Sequence, residues 1–379
     1  MASTEVGGNA PEHTQTPATN TPSNPASSNN DPAKTIKIGS RSSKLALVQA
    51  DAASALLSKA HPDLTFPITT VMVAGDSDKT TPFLQFAGKT GGSDAAKNLW
   101  TEEMEIQMCA GGLDILVHSL KDLPMLLPEG CELGAVIERE DPRDSLLVKP
   151  GLPYKSLADL PHGAVVGSSS TRRKALLKKL YPHLVVQECR GNIDTRLRKL
   201  DAPDSPFSCI ILATAGLNRI NLQHRITAHL DPVEFPYAVG QGALGVEIRT
   251  NDERITNLLK PIEHKNSKWM CLSERAMLRK LQGGCSSPVG VNTVLKDGDG
   301  EGDGGKTIKL QGRIIHPHGT SEIIAEAEAV VSSDADAEAL GQEVAQKLFD
   351  TGARELLQEI KKISNAFGQQ AGQKEASAS

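Results

Sequence analysis

Aromatic side chains are scarce, with two Trp, three Tyr and seven Phe making up 3% of 379 residues. A surface that stacks bases needs such rings in number, so a single-strand nucleic-acid platform is excluded. A basic excess is missing too: 41 Lys and Arg stand against 46 Asp and Glu, for a formal charge of -5. Without phosphate-neutralising charge there is no general affinity for polyanions, and no nucleic-acid partner is expected. No apolar run approaches the roughly 18 residues that a membrane span requires, so a soluble protein with no membrane partner is expected. The first 33 residues hold no Lys or Arg. That excludes the basic start of a secretory signal and the arginines of a mitochondrial presequence, and a cytoplasmic location follows. Residues 1–33 and 367–379, rich in Ser, Ala, Gln, Asn and Pro, read as disordered tails.

Paired cysteines are lacking as well. The six, at 109, 131, 189, 209, 271 and 285, include no Cys-x-x-Cys, which leaves no zinc or dithiol motif, and no metal is expected. A disulfide framework does not suit a chain without an export signal. Most read as small buried apolar residues, as Cys209 does in "FSCIILA". Cys285 is different, because "LQGGCSSP" surrounds it with turn formers that hide it in neither a helix nor a strand.

What the chain does have is alternation. "TIKIGS" reads as a strand, "SKLALVQADAASALLSKA" as an amphipathic helix, "PITTVMVAGD" as a strand, "LWTEEMEIQMCAG" as a helix and "LDILVHS" as a strand. A second unit follows "EREDPRD", with strands in "GAVVGSS", "LVVQECRG" and "SCIILATAG" and helices in "STRRKALLKKLY" and "NIDTRLRKL". This order predicts parallel sheets covered by helices. Beyond "SKWMCLSERAMLRKLQGG", the stretches "PVGVNTVL", "TIKLQGRII" and "EIIAEAEAVV" alternate like antiparallel strands, ahead of one long helix from about Asp336 to Ile363. The fold class is therefore α/β, with two doubly wound lobes and a smaller α+β third domain built on a three-stranded antiparallel sheet. The expected domains are 34–138 with 240–260, 143–236, and 264–366, the last carrying Cys285.

Open α/β sheets bind ligands beyond the carboxyl ends of their strands. Those ends carry "SRSS" with Arg41, "HSLKD" with Lys121 and Asp122, "SSSTRR" with Arg172 and Arg173, "CRGNIDTR" with Arg190 and Arg196, and "ATAGLNR" with Arg219. Between 172 and 225 there are eleven Lys or Arg against four Asp or Glu. Guanidinium forks pair with carboxylates or phosphates through two hydrogen bonds, so several around one cleft point to a ligand with several anionic groups. Arg198 and Arg225, on helix surfaces, read instead as solvated charge. One carboxylate, Asp122, stands inside this basic surround; it stays ionised there and can stabilise a developing positive charge. His118 beside it reads as a packed core histidine.

Other readings compete. "GQGALG" at 240–245 satisfies Gly-x-Gly-x-x-Gly, but the strand-like "VEIRT" follows it where a dinucleotide loop would open a helix. The acidic, glycine-rich 296–306 stretch resembles a calcium loop, but Ile308 stands where the bidentate Glu is required. A non-catalytic anion-binding or solute-binding protein with two α/β lobes would also line its cleft with arginines, yet such a receptor has no need of Cys285.

The segments "GSRSSKLALVQA", "VHSLKDLP", "EREDPRD", "GSSSTRRKALL", "CRGNIDTRL", "ATAGLNRI", "AVGQGALGVE", "SERAMLRKLQGGCSSPVG" and "GARELL" occur in the order and approximate spacing of the porphobilinogen deaminase (hydroxymethylbilane synthase) family. The resemblance spans about Lys34 to Ile363. It implies two lobes like those of type II periplasmic binding proteins. It implies a monomeric transferase of haem biosynthesis that joins four porphobilinogen molecules head to tail, losing ammonia each time, to give the linear tetrapyrrole hydroxymethylbilane. The implied cofactor is a dipyrromethane primer held by a thioether to Cys285, and Asp122 is the implied catalytic residue. Arg41, Ser43, Ser119, Lys121, Ser168, Ser169, Ser170, Arg172, Arg173, Arg190, Arg196 and Arg219 match positions that hold cofactor or substrate carboxylates. Gln49 matches a glutamine near the substrate pocket. Lys97 matches a lysine of the loop over the active site, although "AGKTGGSDAAKNLW" is longer than the family's pattern and Lys89 competes for that place.

Overall fold

The computed structural model describes residues 34–73, 100–281, 287–296 and 306–376, with side chains described as far as Ser364. The first lobe begins with β1 (Ile38–Arg41) and α1 (Lys44–Ala60). The Ser43 side chain caps α1 by accepting from the Ala46 N–H at 3.3 Å, and the helix buries Gln49, Ala50, Ala53 and Leu57, spaced along one face. Next come β2 (Ile68–Val71), α2 (Glu102–Cys109), β3 (Ile115–Ser119) and β4 (Cys131–Ile137). The chain then crosses into the second lobe. This holds β5 (Asp144–Val148), β6 (Val165–Gly167), α3 (Thr171–Leu180), β7 (Val185–Gln187), α4 (Ile193–Asp201), β8 (Cys209–Ala213), α5 (Thr214–Arg219) and β9 (Ala228–His229). A return crossing leads to β10 (Leu244–Arg249) and α6 (Glu253–Leu259) in the first lobe.

The two sheets have matching strand orders, β2-β1-β3-β10-β4 and β7-β6-β8-β5-β9. The two lobes are therefore built on one plan. The expectation of purely parallel sheets needs correction: β10 runs antiparallel to β3 and β4, and β5 runs antiparallel to β8. The reason is topological. Each is the first strand after a crossing and enters its sheet from the cleft end, so Leu244 pairs with Ser119 at the end of β3, and Asp144 with Ala213 at the end of β8.

The first lobe's core joins Ile38, Ile115, Val117, Val246 and Ile248 to Leu57 and Leu259, and the second joins Leu146, Val166, Cys209 and Ile211 to Leu176. His118 is a buried core residue, as expected, with Nε2 3.0 Å from the Glu247 carboxylate. Nearby Glu105 is also buried, and desolvation together with the Glu247 charge pushes its carboxyl up to about 7. Cys131, Cys189, Cys209 and Cys271 are buried as small apolar residues, but Cys109 is exposed, with its sulfur 3.6 Å from that of Cys131.

The third unit comprises α7 (Lys265–Lys280), β11 (Val289–Lys296), β12 (Lys306–Ile315), β13 (Glu322–Val331), α8 (Asp334–Asp350) and α9 (Ala353–Ala376). Its sheet is antiparallel in the order β11-β12-β13, with Met277, Leu310, Ile314, Val344 and Leu348 in the core. The single C-terminal helix expected from the sequence is two, broken at Thr351–Gly352, where Gly352 takes φ +98, a left-handed conformation that stops a helix. The second of these continues through Ala376, into the stretch expected to be a tail, because "QQAGQKEA" is composed mainly of good helix formers. The ends of β12 and β13 rest on the second lobe. Arg313 donates to the Val233 and Glu234 carbonyls at 2.8 and 3.2 Å, and Lys179 lies 3.3 Å from Glu322.

Candidate active site

The strand ends of both lobes face one cleft. At the end of β3 the chain turns through a short 3-10 segment, Leu120–Asp122, held by the Leu120 N–H donating to the Ala243 carbonyl at 3.0 Å. This turn buries Leu120 and leaves the Asp122 carboxylate exposed. Among the described residues no side chain hydrogen-bonds that carboxylate, so it is open to a ligand's donors. Ser119 receives a hydrogen bond from the buried Gln49 amide at 2.8 Å, which joins α1 to the end of β3. Arg41 closes β1, half-buried at the same end of the sheet. Across the cleft, Lys44 at the start of α1 lies 4.0 Å from Asp194 at the start of α4.

In the second lobe "GSSSTRR" forms a strand end, a cap and a helix start. Ser170 caps α3 by accepting from the Arg173 N–H at 3.4 Å, Ser168 accepts from the Ser170 N–H at 3.4 Å, and Ser169 accepts from the Cys189 N–H at 3.2 Å. All three hydroxyls thus order the turn, and Ser170 also lines the central pocket. Arg172 and Arg173 are both buried, and both grip Asp144. Arg172 Nη1 lies 2.8 Å from Oδ2, while Arg173 reaches Oδ2 through Nε at 3.1 Å and Oδ1 through Nη2 at 2.6 Å. Arg173 also donates to the Ile211 carbonyl at 2.8 Å, so all three of its nitrogens are committed within the protein. The sequence shows two exposed-looking forks; the structure shows one of them spent on a buried carboxylate. Asp144, first residue of β5, was not among the sequence candidates, and the only signal for it is that an aspartate opens an otherwise apolar strand.

Burial alone would raise the Asp144 carboxyl, but the two guanidinium groups hold it well below the usual carboxylate range. Asp144→Asn is expected to cost about 3–5 kcal/mol of stability at pH 7, because two buried cations lose their counter-charge. A depressed carboxyl contributes fully above its unfolded value of about 3.9 and loses its contribution as pH falls toward the folded value. The stability gap between variant and wild type, measured by urea unfolding, should therefore narrow below about pH 4; equal stability at pH 7 would show the clamp to be unimportant.

Lys121 is half-buried, and burial pulls its ammonium down to about 8, against the attraction of Asp122, with Arg173 and Arg172 pushing the same way as burial. Arg196 donates to the Gly191 carbonyl at 2.7 Å; burial lowers it, and the Arg173 charge adds to this while Asp122 opposes it. Burial brings Arg219 to about 10, offset by Glu140, and it donates to the Gly242 carbonyl at 2.5 Å. Arg190 pairs with Glu188 at 2.9 Å on a more open part of the rim. Desolvated cations in one cleft are costly, and a polyanion that neutralises them recovers that cost.

A pocket at the centre is lined from all three units: Lys121 and Met125, Ser170 and Arg172, and Leu278, Ser287 and Val289. Ser287 stands two residues beyond Cys285 in the chain. Cys285, Lys97 and Lys89 lie outside the described residues, as does the 297–305 stretch, and no group of metal-ligating side chains occurs among the described residues.

The second crossing lines this pocket through Ala238 and Val239, and the first crossing packs against it. Gly242 at φ +92 lies against the Glu140 carbonyl, where a Cβ would come within 2.2 Å, so "GQG" is a close crossing of two chains and not a nucleotide loop. Glu274 of α7, fully buried, ties the crossings to the third unit. It pairs with Arg139 at 2.7 and 3.1 Å and accepts from the Gly240 N–H at 2.8 Å and from Thr293 Oγ1 at 2.7 Å. Arg139 also stacks over the Tyr237 ring, 5.1 Å from its centroid.

Two family models match the chain: porphobilinogen deaminase, dipyromethane cofactor binding domain, over residues 36–257, and porphobilinogen deaminase, C-terminal domain, over residues 268–350. The chain belongs to the porphobilinogen deaminase family. The porphobilinogen deaminase of Yarrowia lipolytica is 46% identical over 330 residues, covering 86% of this chain and 93% of that one. That of Candida albicans is 44% identical over 335 residues, covering 87% of this chain and 94% of that one. Among solved structures, a methionine-bound nutrient binding protein from Burkholderia cenocepacia aligns at 14% identity with a TM-score of 0.36, covering 62% of this chain and 93% of that one. Membership of the porphobilinogen deaminase family carries the tetrapyrrole-forming transferase activity and the dipyrromethane cofactor. The cationic, hydroxyl-lined cleft fits a group that bears several carboxylates.

Proposed function

We propose that this cleft carries out the head-to-tail joining of four porphobilinogen molecules to hydroxymethylbilane with Asp122 as its catalytic carboxylate and Cys285 as the anchor of the primer. The observation that carries the reading is the pocket in which Lys121, Ser170, Arg172 and Ser287 meet beside the open carboxylate of Asp122. When bound, the dipyrromethane supplies the free pyrrole α-carbon from which the chain grows. Asp122 accepts hydrogen bonds from pyrrole N–H groups and places negative charge where a cation develops as ammonia leaves a porphobilinogen methylene.

The cations hold carboxylates. Lys121 and Arg172 serve those nearest the pocket, with Ser168, Ser169 and Ser170 at the start of α3. Arg41, Ser43 and Ser119 serve from the first lobe, with Gln49 setting the Ser119 hydroxyl. Arg190, Arg196 and Arg219 line the second lobe, and Arg173, committed to Asp144, contributes positive potential and fixes Arg172. Lys97, which matches a family lysine by its place before "NLW", supplies a further cation for substrate carboxylates. The division into 34–138 with 240–260, 143–236 and 264–366 gives each of the three parts one wall of the cleft. A monomer working in the cytoplasm completes the reading. No helix among the described residues is long and apolar enough to cross a membrane.

The test is stoichiometry. Purified protein given porphobilinogen should release four ammonia molecules per tetrapyrrole formed, assayed together in one reaction. Saturable binding of porphobilinogen without ammonia release would support the anion-receptor reading instead.

A further inference from the structure

Gln241 lies at the meeting point of the two crossings, 1% exposed, and its side chain spans the lobes. Its Nε2 donates to the Pro142 carbonyl at 2.7 Å, to Asp144 Oδ1 at 2.9 Å and, more weakly, to the Arg143 carbonyl at 3.4 Å. All three partners only accept. The amide is therefore fixed in one orientation, since its reverse would set an oxygen against two carbonyls and a carboxylate. In the observed orientation Oε1 points to the first lobe and accepts from Lys121 Nζ at 3.3 Å. The backbones approach closely here: Gly240, at φ +72, lies so near the turn that a Cβ would stand 3.3 Å from the Lys121 backbone nitrogen.

We propose that Gln241 is a positioning residue for the reaction, holding the Lys121 ammonium toward the cleft and registering it against the Asp144 clamp that orients Arg172 and Arg173. One hydrogen-bonded chain, from Lys121 through Gln241 and Asp144 to the two arginines, aligns the cations of both lobes on a common anionic ligand. A neutral amide suits this link. A carboxylate in its place would stand against Asp144, and an apolar side chain would leave both Asp144 and Lys121 short of a partner. Among the described residues, the charged groups acting on Lys121 include Asp122 on its own turn, Arg172 and Arg173 from α3 and Asp144 from β5. Arg275 of α7 is turned to the Leu123, Pro124 and Met125 carbonyls. The inference rests on the reading of Lys121 as a ligand to a substrate carboxylate.

The experiment is a pH profile of kcat/KM for porphobilinogen with wild type, Gln241→Met, Lys121→Met and the double variant. Wild type should lose kcat/KM above about pH 8, as Lys121 loses its proton. Gln241→Met removes an acceptor from the charged form, so that limb should move to lower pH by about half a unit or more, with KM raised about tenfold and kcat changed less. In Lys121→Met the limb should vanish, and adding Gln241→Met should cost little more in KM. A limb unmoved in Gln241→Met, with KM effects that add fully to those of Lys121→Met, would overturn the proposal even if the melting temperature fell. A normal profile in Lys121→Met would instead remove Lys121 from the site. Should Gln241→Met not fold, Gln241→Glu keeps the shape and is expected to move the limb upward; trace acetylation of Lys121 against pH, read by peptide mass, gives the same titration without turnover. A Lys121 titration identical in Gln241→Glu and wild type would also overturn the proposal.

Discussion

Asp122→Asn is expected to lower kcat by roughly 10²–10³-fold while leaving the fold and the attached primer intact. The side chain sits on a turn whose shape is set by its neighbours: Leu120 is buried and its N–H is held by the Ala243 carbonyl at 3.0 Å. Asparagine preserves size and can still accept a pyrrole N–H through its oxygen, so ground-state binding survives. What it loses is the negative charge, in a cleft where Lys121 and Arg196 lie close enough for Asp122 to favour their charged forms. Without that carboxylate, a cation developing beside these groups meets only repulsion. The effect should therefore fall on kcat with little change in KM. Single-turnover ammonia release on the loaded variant measures it directly, and a rate within threefold of wild type would remove Asp122 from the chemistry.

Cys285→Ser is expected to abolish turnover, for a different reason. A thiol is far more nucleophilic than a hydroxyl near neutral pH, so the variant should fail to acquire its primer while folding normally. Normal folding is expected because Ser differs from Cys by one atom, and Met277, Leu310, Ile314, Val344 and Leu348 supply core to the third unit. The melting temperature of the variant should resemble that of wild type stripped of its primer. A Cys285→Ser protein with wild-type activity would place the anchor on another residue.

Local features of the fold are legible in the sequence, and features set by distant partners are not. Amphipathic spacing located α1 and α3, because it is a local property. Strand-end arithmetic pointed to Asp122 and the cationic residues near it, since the ends of parallel strands converge on one cleft whatever the details of packing. Three things were not legible. The antiparallel placement of β5 and β10 depends on where the chain crosses between lobes, which no periodicity records. The commitment of Arg173 to Asp144 depends on a partner 29 residues away that looks like any strand-opening aspartate. Glu274 and Gln241 sit on a helix and in a glycine-flanked turn, where the sequence shows ordinary polar residues and the structure shows the ties that hold three units around one pocket.

A primer built from substrate and carried on Cys285 can be weighed by intact mass spectrometry of the purified wild type beside Cys285→Ser. The wild type should carry a mass excess of two pyrrole units and the variant none. An unmodified wild type, even after incubation with porphobilinogen, or the same adduct on both proteins, would contradict a primer carried on Cys285.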